Sequence, residues 1–348
     1  MSTRRKMKAA VLFGVRDLRI IETEIPEIGP NDVLARIRVA TTCGTDLKMY
    51  KRGYVSSIIN YPQPMGHEWA GDIVEVGENV EGLSEGMRIR AGNSAPCFKC
   101  SFCQEGKYNL CENRTWLWGS YAEYIRVPEP IVKHNLHVLP EGMTYEEGSL
   151  VEPLACVIHG QNMLNIRVGD TVAIVGAGSI GIMHAMISRL RGAKKIIMVD
   201  LADHRLRFAE KLVSSISINP NETDVVDGIN KVTNNKKADV VIEAVGLPET
   251  WELSLKLVKK GGSILLFGGC KPGTTITVDT ELLHYGEIKL IGSFHANPED
   301  FNLAFKLIAT RTIDVRPLVT RKMPLDKILE AFELLEREKK DIKIAITP

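Results

Sequence analysis

The sequence predicts an α/β plus β protein of two parts: a barrel-like β domain and a parallel sheet covered by helices. Three observations predict it. Short strand-like runs crowd the first third. From about Gly169 such runs alternate with helix-length amphipathic stretches. The length, 348 residues, also exceeds what one simple hydrophobic core organises.

In the first part, alternating or apolar runs fall at Lys8–Phe13, Leu18–Glu22, Val33–Ala40, Gly71–Gly77, Met87–Ala91 and Tyr121–Val127. Clusters of Gly, Pro and Asn separate them, as at Pro26–Asn31 and Gly77–Gly82. In the second part the runs are Thr171–Val175, Lys195–Val199, Ile216–Ile218, Asp239–Ala244, Ser263–Phe267 and Lys289–Ile291. Their unbroken apolar character suits strands buried on both faces, and the alternation with helices implies a parallel sheet. After Ser293 helices are expected at Glu299–Ala309 and Leu325–Glu338, then a strand at Ile342–Ile346 that returns to the first domain.

Composition narrows the function. A net charge of +1 gives no sign of a nucleic-acid or acidic-membrane partner. The basic start, Met1 to Lys8, runs straight into a strand-like stretch without an apolar segment, so no signal peptide is expected. No apolar run approaches a membrane span, and the cytoplasm is the expected location. The seven cysteines lie at 43, 97, 100, 103, 111, 156 and 270. Four of them packed between Cys97 and Cys111 suggest metal rather than disulfides in such a chain.

Gly176-Ala177-Gly178-Ser179-Ile180-Gly181 follows an apolar strand and opens a helix whose apolar face is read as Ile180, Met183, Ile187 and Leu190. The first glycine makes the tight turn, the second lets backbone approach a pyrophosphate, and the third lets helix and strand pack closely. Asp200 ends the next strand, where an acid accepts bonds from ribose hydroxyls. This is a Rossmann dinucleotide fingerprint. A carboxylate at 200 repels the 2′-phosphate of NADP, so NAD is favoured. Arg205 tempers that reading, because it suits either the adenosine end of NAD or the phosphate of NADP.

Cys97-x2-Cys100-x2-Cys103-x7-Cys111 supplies four thiolates that can close a tetrahedron around zinc, with no position left for substrate. An iron–sulfur cluster is the alternative, but no second cluster-like run accompanies it. A second set is dispersed: Cys43, His67, Glu68 and Glu152. Each has an ordinary reading alone, as a core thiol or a surface pair, and spacing does not decide between these and a catalytic zinc with one exchangeable position.

Taken in order, Cys43-Gly44-Thr45-Asp46, Gly66-His67-Glu68, the four-cysteine lobe, Glu152-Pro153-Leu154 and the glycine fingerprint resemble the zinc-containing medium-chain dehydrogenase family over nearly the whole chain. The Gly-His-Glu and Glu-Pro-Leu forms look most like its sorbitol (L-iditol), threonine and polyol dehydrogenase branch. The resemblance implies a GroES-like β-barrel catalytic domain at 1–155 and 293–348, with a structural zinc lobe at about 93–115. It implies an inserted Rossmann NAD-binding domain at 156–292. It further implies two zinc ions per subunit and a homotetramer, with a dimer as the alternative. Cys43, His67 and Glu68 would hold the catalytic zinc, and Glu152 would bind it directly or through water. Thr45 would take the alcohol proton. Ile180 and the Phe267–Gly269 region would touch the dinucleotide.

Two positions depart from the family pattern. Lys48 stands where a relay histidine is common, and suits either proton shuttling or an anionic substrate. Ser293-Phe294-His295 replaces a substrate-contacting arginine, with His295 either taking that contact or lying on the surface. The expected reaction is oxidation of a secondary alcohol in a polyol or sugar. L-threonine, butanediol or other alcohols are the alternatives, as is a sugar-alcohol phosphate met by Lys48, Lys51 and Arg52. Those three charges read more readily as a solvated loop. Tyr50, Trp116 and Trp118 read as pocket lining or as packing. A zinc-ribbon nucleic-acid binder is disfavoured by charge and by the cysteine spacing. A binding-only NAD sensor would lack zinc ligands that are present here.

Overall fold

The structure, a computed structural model, describes residues 5–53, 59–338 and 340–348. The first four residues of the basic start lie outside them. The chain divides into two compact units, Met1–Ala155 with Ala296–Pro348, and Cys156–His295.

The first unit is built on a seven-stranded sheet. Its order is Leu136–Val138, Arg88–Ala91, Glu68–Val76, Val33–Thr41, Lys343–Thr347, Val319–Pro324, with Tyr124–Val127 also paired to Val33–Thr41. A three-stranded sheet, Asp17–Glu24, Lys6–Gly14, Gln63–Pro64, accompanies it. Alternation in Val33–Thr41 explains its placement: Arg36 and Arg38 face water while Ala35, Ile37 and Val39 are buried. The buried side chains join a core that includes Trp69, Ile73, Ile89, Tyr121 and Phe332. Lys343–Thr347 pairs antiparallel with Val33–Thr41, setting Ala345 against Thr41, so the chain's last strand completes the sheet its third strand began.

The second unit is a six-stranded, wholly parallel sheet. Its order is Ile216–Ile218, Lys195–Val199, Thr171–Val175, Ala238–Glu243, Val258–Leu266, Lys289–Gly292. Ala173, Ile174, Ile197, Val241 and Ile264 are fully buried, as the apolar runs require. The strand order reverses beside Thr171–Val175, where such sheets open a crevice at their carboxyl ends.

Some elements differ from the sequence reading. Leu325–Glu338 is three pieces: a 3-10 turn at Leu325–Lys327, an α-helix at Ile328–Glu333 and a π turn at Leu334–Glu338. The widened turn coincides with Leu334 and Leu335, consecutive residues that both pack against the core. The helix Ser179–Leu190 buries Ile182, Met183, Ala185, Met186 and Ile187, more than one stripe, and Leu190 is exposed. Two helices that carry site residues, Gly44–Arg52 and Val151–Asn162, lack a strong apolar stripe in the sequence.

Candidate metal centres and cofactor site

Cys43 ends an extended stretch and caps the helix Gly44–Arg52: its sulfur accepts from the Thr45 backbone N–H at 3.4 Å, and its own N–H donates to Asp46 Oδ2 at 3.2 Å. This reciprocal cap fixes the thiol, places half-buried Thr45 beside it, and puts Lys48 on the same short helix. His67 and Glu68 enter from the start of Glu68–Val76. The turn before them needs Gly66: its φ is +90°, and a Cβ there would come within 2.9 Å of the Tyr121 backbone nitrogen.

The ligand atoms of Cys43, His67 and Glu68 all lie within 4.8 Å of one another. Each is held from behind. His67 Nδ1 faces Asp46 Oδ1 at 3.1 Å, which places the ring proton on Nδ1 and leaves the Nε2 lone pair for an electrophile. Asp46 is fully buried and also accepts from the Tyr121 hydroxyl at 2.6 Å. Glu68 Oε2 accepts from Thr41 Oγ1 at 2.5 Å and from the buried Lys343 ammonium. Glu68 Oε1 is buried with no hydrogen-bond partner among the described residues.

The electrostatics ask for positive charge. Burial lowers the His67 pKa, but the charges of Asp46 and Cys43 outweigh it and the net shift is well upward. Burial likewise works against the Lys343 ammonium, and Glu68 and Cys43 more than offset it. A thiol, an imidazole lone pair and an unmatched carboxylate oxygen, converging in an electronegative site, fit a zinc ion.

Glu152 sits in the first turn of Val151–Asn162, buried, with Oε1 accepting from Asn93 Nδ2 at 2.9 Å. Burial raises its pKa, His67 acts to lower it and Glu68 to raise it, so its carboxyl shares the site's field. Its oxygens are not within the three-residue ligand group.

The four-cysteine lobe also converges, with all four sulfurs within 4.8 Å of one another. The Sγ–Sγ distances 3.5 Å (Cys100–Cys103), 3.9 Å (Cys100–Cys111) and 4.0 Å (Cys97–Cys103) bracket the edge, about 3.8 Å, of a tetrahedron with zinc–sulfur bonds of about 2.3 Å. Backbone N–H groups of Lys99 and Cys100 point at Cys97 Sγ and bring that thiol down to about 6. Burial holds Cys103 up at about 12, so a cation is what allows all four to be thiolates together.

In the second unit, Gly176 donates its N–H to Val199 O at 2.7 Å, and Gly178 caps the helix Ser179–Leu190. A Cβ on Gly181 would lie 1.8 Å from Gly176 O, so only glycine lets this helix start against the strand. Ile180 is half-buried at the helix start. Asp200 is fixed by two backbone N–H groups, Ala177 to Oδ2 at 2.8 Å and Ala202 to Oδ1 at 2.9 Å. Burial lowers the Arg205 pKa and Asp200 opposes that shift; a Cβ on Gly178 would lie 3.9 Å from an Arg205 guanidinium nitrogen. Asp200 and Arg205 thus flank the glycine turn. Phe267 follows the fifth strand, its N–H on Glu243 O at 3.0 Å and its ring 4.6 Å edge-on from His184. His295 adopts φ +61° and packs 6.0 Å from the Phe294 ring.

His184 is fully buried, takes Gln161 Nε2 at 3.2 Å on Nδ1, and is pushed down to about 3 by burial. The unfolded chain therefore binds a proton that the folded chain refuses between the ordinary value of 6.5 and about 3. Stability conferred by the neutral ring is present above that window and falls as pH drops through it, by up to about 1.4 kcal/mol per pH unit. Urea titrations at several acid pH values are expected to show a shallower decline in His184→Asn; an identical slope contradicts this.

The structure moves some residues out of the site. Tyr50 packs its ring 5.6 Å from Phe332 and belongs to the core. Lys51 pairs with Glu336 at 2.6 Å, a pair Arg16 shares at 3.2 Å, so it is not an open anion-binding charge. Trp118 lies 5.0 Å from the His67 ring, and Trp116 stacks on it at 6.2 Å. Sequence reasoning assigned no role to the groups that support the ligands: Asp46, Tyr121, Thr41, Asn93 and Lys343. Only Asp46 carried a local signal, the capping-box spacing from Cys43.

The chain is similar to known proteins over nearly its whole length. Residues 29–140 match the alcohol dehydrogenase GroES-like domain, and residues 179–310 match the zinc-binding dehydrogenase domain. The chain is 30% identical to a sorbitol dehydrogenase of Bacillus subtilis over 99% of its length and 98% of that protein. It is 34% identical to a sorbitol dehydrogenase of Bombyx mori, covering 94% of each. A zinc-binding dehydrogenase from Sinorhizobium meliloti bound to NADP superposes with a TM-score of 0.90 at 30% identity, over 99% of this chain and 100% of that one. The fold and the paired sites define a nicotinamide-linked oxidoreductase acting on CH–OH groups. The chain belongs to the zinc-containing medium-chain dehydrogenase family, in its sorbitol and polyol dehydrogenase-like branch.

Proposed function

We propose that this enzyme oxidises a secondary alcohol within a polyol or sugar, passing hydride to NAD, with one catalytic and one structural zinc per chain. The observation that carries it is the convergence of Cys43, His67 and a carboxylate oxygen of Glu68, whose Oε1 is buried and unmatched among the described residues. These three residues would hold the catalytic zinc, with Glu152 reaching it directly or through water; Cys97, Cys100, Cys103 and Cys111 would hold the structural one. Zinc would supply a Lewis acid that acidifies a hydroxyl, as it brings the pKa of bound water down to about 7, and the nicotinamide would accept the hydride.

The chain's own residues do the rest. Thr45, next to Cys43 on the capped helix, takes the alcohol proton at its hydroxyl oxygen and passes its own onward. Lys48, one turn further, is the next group on that helix able to carry it. Asp46 keeps the His67 ring from turning. Lys343 and Thr41 occupy Glu68 Oε2, leaving Oε1 to the metal. Gly176, Gly178, Ile180 and Gly181 would receive the dinucleotide, Asp200 would accept from its ribose hydroxyls, Arg205 would serve its adenosine end, and Phe267 would touch it. The rigidly held Asp200 carboxylate favours NAD over NADP. A sugar-alcohol phosphate is a weaker reading, because Lys51 is paired with Glu336.

No helix among the described residues is long and apolar enough to cross a membrane. We assign a cytoplasmic homotetramer acting on a small molecule; the sheet's last strand, Lys289–Gly292, has one edge unpaired among the described residues, which a second copy can extend.

NADH formation is the test, with NAD and a panel of polyols, threonine, butanediol, simple alcohols and sugar-alcohol phosphates, each with and without a zinc chelator. Chelator-sensitive turnover is expected on polyols first. Turnover that ignores a chelator known to have stripped the zinc overturns the catalytic assignment, and turnover confined to another class overturns the substrate.

A further inference from the structure

The strand Arg88–Ala91 carries a buried charge that neither the ligand set nor the apolar core explains. Ile89 and Ala91 turn to the core, so Arg90 points to the opposite face, and there it is only 1% exposed. It stands in register between Ala70 and His137 on the neighbouring strands. Phe301, buried on the helix Pro298–Ala309, covers it with its ring centre 5.2 Å from the guanidinium carbon. The guanidinium is therefore closed to substrate. Its hydrogen bonds are also poor. Nη1 lies 3.5 Å from both Asn135 O and His137 Nδ1, at the long limit of such contacts, and Nε is buried without a partner among the described residues.

A guanidinium so placed is costly unless a carboxylate compensates it. His137 does not help. Its Nε2 faces Asn302 Oδ1 at 2.8 Å and so carries the ring proton, and burial together with the Arg90 charge pushes its pKa down to about 4. Glu152 is the compensating group: burial pulls Arg90 down to about 9, and the charge of Glu152 opposes that pull. The connection runs through one short stretch of chain. Asn93, three residues after Arg90, donates from Nδ2 to Glu152 Oε1 at 2.9 Å. Asn135, whose carbonyl meets Arg90, also accepts from the Gly92 N–H at 2.8 Å and donates from its amide to Ser94 O at 2.5 Å. The other charges acting on Glu152 belong to the metal centre, where His67 and Lys343 attract it and Glu68 repels it. Glu152 nevertheless stands outside the Cys43–His67–Glu68 ligand group.

Resting on the catalytic-zinc reading above, we propose that Arg90 is a positioning residue for Glu152. With the Asn93 amide, its buried charge keeps the Glu152 carboxylate out of the Cys43–His67–Glu68 group, which leaves the metal's remaining position to the substrate hydroxyl. Without that charge, the attraction left to Glu152 comes from His67, Lys343 and the metal, and the carboxylate moves onto the metal. Because Arg90 also packs under Phe301, a plain loss of activity on replacing it would mean little. The informative quantity is the ligand set of the metal, and whether any change in it depends on Glu152.

The experiment uses the full enzyme with zinc kept in the four-cysteine lobe and cobalt(II) exchanged into the catalytic site, whose visible bands report ligand number and geometry without turnover. Arg90→Met keeps a long side chain under Phe301 and removes the charge, Arg90→Gln keeps a polar head as well, and Arg90→Lys keeps the charge. Glu152→Gln alone is expected to leave the resting bands as in wild type. Arg90→Met and Arg90→Gln are expected to shift them, adding Glu152→Gln should restore them, and Arg90→Lys should match wild type. With zinc in both sites, the polyol KM of Arg90→Met is expected to rise about 10-fold, the low end of what groups behind metal ligands contribute, while kcat changes less. Bands altered by Glu152→Gln alone would place Glu152 on the metal from the start and overturn the proposal. So would a folded neutral variant whose bands and KM match wild type, or whose shift survives Glu152→Gln. Should neither neutral variant fold, Arg90→Lys and Glu152→Gln decide, and shifted bands in either overturn it. Turnover that survives removal of the catalytic metal overturns the catalytic-zinc reading and this proposal with it, whereas turnover of an alcohol other than a polyol leaves the cobalt result standing.

Discussion

Replacing His67 with Ala is expected to reduce turnover by about 10³-fold or more, while NADH binding, followed by nucleotide fluorescence, is unchanged. The magnitude follows from what the site supplies: Lewis-acid stabilisation of a developing negative charge amounts to several kcal/mol, and each 1.4 kcal/mol is about a factor of ten in rate. The selectivity follows from where the parts lie. His67, Cys43 and Glu68 belong to the first unit, whereas the glycine turn and Asp200 belong to the second. Cys43→Ala should behave alike with an added cost, because its sulfur also accepts the Thr45 N–H at the helix start. Asp46→Asn separates holding from positioning: the ligands all remain, but the charge behind His67 Nδ1 is gone, and losses of about 10- to 100-fold in zinc affinity or activity are expected. Zinc content measured on each purified variant completes the test. Retained turnover in zinc-free His67→Ala would remove the catalytic assignment outright.

The contrast between these sites explains what was legible in the sequence. The glycine turn and the cysteine lobe are local: Gly176 to Gly181 and Cys97 to Cys111 carry their spacing in one short stretch, and the physics that needs the residues acts within it. The parallel sheet was legible for a similar reason, since after their first residues Thr171–Val175 and Lys195–Val199 are apolar and buried. The Cys43–His67–Glu68 group is assembled by tertiary pairing, of which Val33–Thr41 with Glu68–Val76 is one part. Spacing alone left it undecided, and resemblance to a family was needed to join its members. Of the groups that support the ligands, only Asp46 was legible, through its capping-box spacing from Cys43. Lys343 reaches Glu68 across 275 residues because the last strand returns to the third, and a lysine in an apolar strand gives no hint of the carboxylate it will meet. Tyr121 and Asn93 likewise meet Asp46 and Glu152 across 75 and 59 residues. The helix Gly44–Arg52 escaped notice because it is short and mostly polar; its Cys43–Asp46 cap, rather than a buried apolar stripe, starts it.

Cys100→Ser is expected to do the reverse of His67→Ala, leaving the chemistry but losing the lobe. The segment between Cys97 and Cys111 has almost no core of its own: Phe98 is 38% exposed and Leu110 42%, while the buried side chains are Cys103 and Cys111 themselves. Its regular structure amounts to one short α turn, one 3-10 turn and the two-residue ribbon at its base. Metal bonds are thus the main apolar-core substitute, and in small zinc domains such bonding contributes about 10–16 kcal/mol of folding free energy. With Cys100 lost, Cys97 and Cys103 still lie 4.0 Å apart in a broken tetrahedron, or Cys103 and Cys111 are left to burial that opposes their ionisation. Zinc per chain should fall by one, hydrogen exchange and proteolysis should rise first within 97–113, and thermal inactivation should come earlier. Freshly purified protein should still turn over polyol, because none of the four cysteines belongs to the Cys43–His67–Glu68 group. A fully stable Cys100→Ser enzyme that has lost turnover but kept its lobe protected would mean that the four-cysteine centre takes part in the reaction.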